Sequence, residues 1–150
     1  MKYVPTLFFL LLCSIAQAQK SFTFHGRPTQ MGYCLDENGE INCFAGIDLT
    51  GYLIHINYVE NAETKIILFH NGALVEESVF APVSELKITK KQFSFIASSF
   101  TLKKNLHLPL FTSGDHKVEL IIYTKNKKGI VRFYYPEENN KAYTYFFDLL

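Results

Sequence analysis

The chain has 150 residues, 15 Lys and Arg against 14 Asp and Glu, and a hydrophobic share of 48%. So even a charge balance excludes nucleic acid as a target, because duplex binding is driven by neutralising phosphates with a basic surface. The length sets one domain, large enough to bury a real core without metal or multiple cross-links.

Met1-Lys2 is a minimal positive region, Leu7 to Leu12 with Cys13 and Ile15 is a short apolar region, and Ala16-Gln17-Ala18 is a small-x-small cleavage site before Gln19. Together they read as a secretory signal peptide over residues 1–18, followed by one domain over 19–150. The expected destination is the periplasm or the medium. The apolar run is shorter than the roughly 20 residues of a membrane span, and none is expected elsewhere. A lipid anchor on Cys13 is disfavoured, because Leu12 stands where lipid attachment needs a small residue. The chain has no N-x-[ST] acceptor, which fits a bacterial export route.

Cys34 and Cys43 stand symmetrically about Asn38-Gly39, the strongest two-residue hairpin signal, since both central residues of a type I′ turn need φ > 0. The turn sets Glu37 opposite Glu40, Asp36 opposite Ile41, Leu35 opposite Asn42 and Cys34 opposite Cys43. A disulfide between the facing cysteines is expected, and an oxidising compartment with it. Closing this ten-residue ring contributes about 2.7 kcal/mol in the chain-entropy model. The hairpin tip is acidic, through Asp36, Glu37 and Glu40.

Beyond it the chain reads as strand after strand, rich in Phe and Tyr with Ile, Val and Leu, and broken by Gly, Asn, Asp and Lys clusters. Tyr52, Ile54, Ile56 and Tyr58 share one face of a half-buried strand. The segment from Lys65 to His70 is apolar on both faces and reads as central. Asn71-Gly72 then reverses the chain, with Phe69 expected opposite Leu74 and Leu68 opposite Val75. Phe93, Phe95 and Ala97 share a face until Ser98-Ser99, after which Phe100 and Leu102 continue in the other phase, as a bulge or bend would produce. Val118, Leu120 and Ile122 point inward, a Lys-rich loop ending at Gly129 reverses the strand, and Val131, Phe133 and Tyr135 line the return. Tyr143, Tyr145, Phe147 and Leu149 form a last strand.

Leu108, Gly114-Asp115-His116, the alternation of Val118, Leu120 and Ile122, and the paired strand after it make the stretch 106–135 similar to the last strands of bacterial immunoglobulin-like domains. That resemblance implies a sandwich and extends to architecture only, since the Trp and inter-sheet Cys of antibody domains are absent. The expected fold is an all-β, single-domain antiparallel β-sandwich, with a small β-barrel as the alternative.

No catalytic constellation emerges. Aligning Gly39 with the invariant glycine of a calcium loop puts Cys34 and Ala45 where the first and last carboxylates belong, so the site fails on its ligands. His25, His55, His70, His107 and His116 lack metal-motif spacing. Ser113, Asp115 and His116 are too close in sequence to aim at one another as a triad. No catalytic residue, metal or cofactor is therefore assigned.

Charge is distributed unevenly: residues 19–84 hold 8 acids and 3 bases, and residues 85–150 hold 6 acids and 11 bases. Seven lysines sit in three runs, Lys90-Lys91, Lys103-Lys104 and Lys125 with Lys127-Lys128, each at an expected turn or strand end. They are solvated tips unless they share one end of the fold, where they would form a basic rim. Tyr143 and Tyr145 alternate on one strand face, as core or as a binding platform. The expected function is an exported, non-enzymatic module that engages a protein or a surface glycan, an envelope inhibitor or immunity factor being one version. Its candidate contacts are Asp36, Glu37, Glu40, Lys125, Lys127, Lys128, Tyr143 and Tyr145. The alternatives are a small hydrolase or metal-dependent enzyme built from distant His, Asp and Glu residues, and a ligand-carrying barrel.

Overall fold

A computed structural model describes residues 19–37, 40–44, 48–80, 83–104, 116–135 and 138–150, with backbone alone over 34–37, 40–44 and 138–141. The signal-peptide reading, Cys13, His107 and the Ser113/Asp115 pair lie outside the described residues. The strands are β1 (Ser21–Glu37), β2 (Glu40–Phe44), β3 (Tyr52–Val59), β4 (Thr64–His70), β5 (Ala73–Phe80), β6 (Ser84–Ile88), β7 (Gln92–Ala97), β8 (Thr101–Lys104), β9 (Val118–Tyr123), β10 (Lys128–Tyr135) and β11 (Glu138–Leu149). The described residues contain no helix. None, therefore, is a helix long and apolar enough to cross a membrane.

Ten strands form one antiparallel path in the order β6-β7-β9-β10-β11-β1-β3-β4-β5-β8, and β2 pairs with β1 beside it. The sheet curls into a half-barrel, as strand twist accumulated over so many strands requires. Its two arms meet face to face through aromatic side chains. Phe93 on β7 lies 5.3 Å from Phe22, 5.0 Å from Phe24 and 5.4 Å from Tyr58, between ring centres. Phe80 on β5 approaches Phe95 and Phe133 from the other side. The expected choice between sandwich and barrel thus resolves into one sheet folded over its own core. Long β1 and β11 pair at its middle and join the two layers.

The alternation read from the sequence sets the core. Ile54, Ile56, Val118, Leu120, Ile122, Val131 and Phe133 are all fully buried. Asn71 and Gly72 have φ of 50° and 80°, the two positive values of a type I′ turn. Phe69 faces Leu74 as expected, but Leu68 faces Glu76 rather than Val75. A bulge at Val75 causes the shift: one extra residue changes which side chains face inward. The bulge turns Glu76 into the core, where it is 2% exposed. At Ser98-Ser99 the structure has the bend rather than the bulge of the two expected forms. After Ala97 the chain crosses from β7 to β8, which pairs with β5 in the other arm, and Phe100 is buried at the crossing.

Phe147 on β11 faces Gly129 on β10. A Cβ on Gly129 would overlap the Phe147 ring, and one on Gly26 would stand 2.6 Å from its Cδ2. The ring is therefore seated between two glycines, one on each neighbouring strand, and buried to 1% exposure.

Candidate binding surface

Two of the three lysine runs come together. In the β6–β7 turn, Thr89 Oγ1 accepts from the amides of Lys91 and Gln92 at 3.3 and 3.0 Å, a local hydroxyl-to-backbone turn. The β9–β10 turn docks beside it: the Thr124 amide donates to Lys91 O at 3.1 Å, and the Thr124 hydroxyl donates to Lys90 O at 3.0 Å. Lys90, Lys91, Lys125 and Lys127 are exposed, and among the described residues none of the four joins an ion pair. Lys128 pairs with Asp148 at 2.8 Å, both largely solvated and so of little consequence for stability. The third run, Lys103 and Lys104, lies on edge strand β8 in the other arm.

Next to the lysine turns, the outer face of β10 and β11 carries a cleft of about 410 Å³. Its floor includes Ile130 and Phe146, which face each other across the two strands. Tyr123, Asn126 and the Lys128–Asp148 pair stand at one side and Gln30 at another. The wall at Gln30 follows from a bulge in β1 between Pro28 and Gln30, where a residue without an N–H is tolerated. Tyr123 is 39% exposed, so its ring is available to a ligand. The cleft itself offers an apolar floor, an accessible phenol, two amides and the Lys128–Asp148 pair. The exposed lysines stand on the adjoining turns, and together these groups suit a polar ligand with apolar ring faces and negative charge beyond the cleft.

The hairpin register is that expected: Glu37 with Glu40, Asp36 with Ile41, Leu35 with Asn42 and Cys34 with Cys43. Asp36, Glu37 and Glu40 thus occupy the β1–β2 end of the fold. Leu35 pairs with Lys141 near one end of β11, while Lys128 pairs with Asp148 near the other. At 3.3 Å per residue the acidic hairpin and the basic turns stand about 23 Å apart along that strand. Tyr143 and Tyr145 face the interior, 3% and 0% exposed. That places them in the core rather than on a binding platform.

The Tyr145 hydroxyl instead donates to Glu76 Oε1 at 2.5 Å, across the interior from one arm to the other. Burial, then the Glu76 charge, pushes the Tyr145 phenol well above its ordinary value and keeps it a donor. On the outer face of β9 and β10, Glu119 Oε2 accepts from Arg132 Nη1 and from the Tyr134 hydroxyl, each at 3.0 Å. Burial first, and the Glu119 charge second, push the Tyr134 phenol up to about 12.

The described histidines are spread over the molecule. His70 stacks on Tyr52 at 4.2 Å, and His116 lies 5.7 Å from Phe100. His25 and His55 face each other on β1 and β3. Burial, then the neighbouring His25, holds the His55 imidazole below its ordinary 6.5. The unfolded chain then takes up the proton more readily than the folded one, so this contribution is intact above about pH 6.5 and is lost as the pH falls through the lower folded-state value. The melting temperature is expected to drop between pH 7.5 and 5.5, and His55→Gln should flatten that dependence in a calorimetric pH series.

The lysine runs were legible in the sequence, and their adjacency was not, because it depends on Thr124 reaching a turn more than thirty residues away. The cleft depends on the β1 bulge, which Pro28 marks only weakly. Compared with protein-family models, curated proteins and solved structures, the chain matches none.

Proposed function

We propose that this protein is an exported, non-catalytic binding module that holds an acidic glycan at its basic end. The observation that carries the reading is the docking of the two lysine turns through Thr124, beside a cleft walled by Tyr123. Four exposed ammonium groups supply attraction for carboxylate or sulfate groups, the Tyr123 ring gives a sugar a stacking face, and Gln30 and Asn126 offer amides to hydroxyls. Export and a Cys34–Cys43 disulfide belong to the same proposal and are supported by the facing register of the two cysteines. The similarity of 106–135 to immunoglobulin-like domains agrees with a rigid β scaffold that presents one end to a partner.

Affinity electrophoresis of the full chain through polygalacturonate, against neutral dextran, tests the reading. Retardation by the anionic polymer alone is expected, weakening as salt rises. Replacing Lys90, Lys91, Lys125 and Lys127 together with Ala should reduce it at least tenfold, and Tyr123→Ala should reduce it severalfold. Equal mobility in both gels at low salt, or retardation that survives loss of the four lysines, overturns it. For the disulfide, the exported protein should show no titratable thiol at Cys34 or Cys43 before reduction; free thiols there would remove that part of the proposal.

A further inference from the structure

The outer face of the other arm carries an arrangement that sequence spacing could not reveal, because its members are thirty residues apart. His25 on β1 and His55 on β3 are direct cross-strand partners. Their ring centres lie 4.4 Å apart and their planes are nearly perpendicular, at 89°. His25 is exposed and His55 half-buried, so the pair opens to solvent. Two imidazoles bound cis to one ion at metal–nitrogen distances of about 2.0 to 2.1 Å have ring centres roughly 4.5 Å apart at a right angle and roughly 5.2 Å at a tetrahedral angle. The observed separation matches the right-angle case.

We infer that His25 and His55 form a bis-imidazole site for a divalent transition ion, with copper(II) bound most tightly. Imidazole pairs follow the order in which copper(II) exceeds nickel(II) and zinc(II), and a right-angle chelate suits the tetragonal geometry of copper(II). Water completes the coordination. The backbone supplies preorganisation: antiparallel pairing fixes the two Cα atoms, and the Phe69 ring, 4.9 Å from His55, backs that imidazole from the neighbouring strand. In the next row along β1 and β3, the Thr23 hydroxyl donates to Asn57 Oδ1 at 3.4 Å, a polar margin for metal-bound water. Arg27, two residues further along β1 from His25, contributes a like charge that moderates affinity. Burial already favours a neutral His55, the form that ligates.

The site is independent of the lysine end and stands or falls separately from the glycan reading. Titration of the full chain with copper(II) chloride at pH 7.5, followed by calorimetry and electron paramagnetic resonance, tests it. One equivalent should bind, with hyperfine structure from two nitrogens, and the melting temperature should rise with added metal. His25→Ala, at an exposed position where the fold does not depend on the side chain, should weaken binding at least tenfold and abolish the two-nitrogen spectrum. His55→Gln should do the same, whereas His70→Ala should leave affinity unchanged. Binding that is indifferent to His25→Ala, or a spectrum from a single nitrogen, overturns the inference.

Discussion

Gly129→Ala is expected to destabilise the fold by about 2 to 3 kcal/mol, in the range of overpacking a close-packed core. The added Cβ would overlap the Phe147 ring, whose Cε1 would stand only 2.7 Å away. The ring has little room to retreat, because on its other side it lies so close to Gly26 that a Cβ there would stand 2.6 Å from its Cδ2. Phe147→Ala removes the ring itself and should cost about 3 to 5 kcal/mol, the usual range for a fully buried aromatic. The pair gives a sharper test than either change alone. If the clash is the cause, Gly129→Ala in a Phe147→Ala background should cost little or become stabilising, because alanine is the better residue once the space is free. Urea denaturation of the four proteins measures this, and equal costs in both backgrounds would assign the glycine to backbone conformation instead.

The same strand shows what the sequence could and could not disclose. Alternation placed Tyr143, Tyr145 and Phe147 on one face, and the structure has all three buried there, since a period of two follows from backbone geometry alone. The Cys34–Cys43 and Phe69–Leu74 registers were equally legible, because an Asn-Gly turn fixes pairing outward from itself. Legibility ended at the first bulge. Val75 carries no mark of being an extra residue, yet it decides that Glu76 faces inward and Glu77 outward toward Lys65, 3.7 Å away. Contacts between distant segments were illegible for a different reason. The Thr124 bonds to the β6–β7 turn, the cross-strand histidines and the approach of Phe93 to β1 all require the order of strands in the sheet. Local pattern does not encode that order.

Glu76 is where those two kinds of hidden information meet, and loss of its partner should be felt strongly. Tyr145→Phe is expected to destabilise the protein by about 1.5 to 3 kcal/mol, the range for a hydrogen bond to a charged group whose acceptor stays buried. Glu76→Leu should cost a comparable amount by stranding the Tyr145 hydroxyl, which is wholly buried. Glu76→Gln should cost less, because its carbonyl oxygen can still accept from the phenol. The double variant Glu76→Leu with Tyr145→Phe removes both polar groups together. Replacing a buried polar pair by apolar groups of similar volume is often close to neutral, so the double variant should lie within about 1 kcal/mol of the parent. Additive losses in this cycle would show that Glu76 is held by the rest of its surroundings rather than by Tyr145. Non-additivity would identify the bond as a cross-tie between β5 and β11. The bond would then tie the two arms of the curled sheet together, and it is there because a bulge turned a glutamate inward.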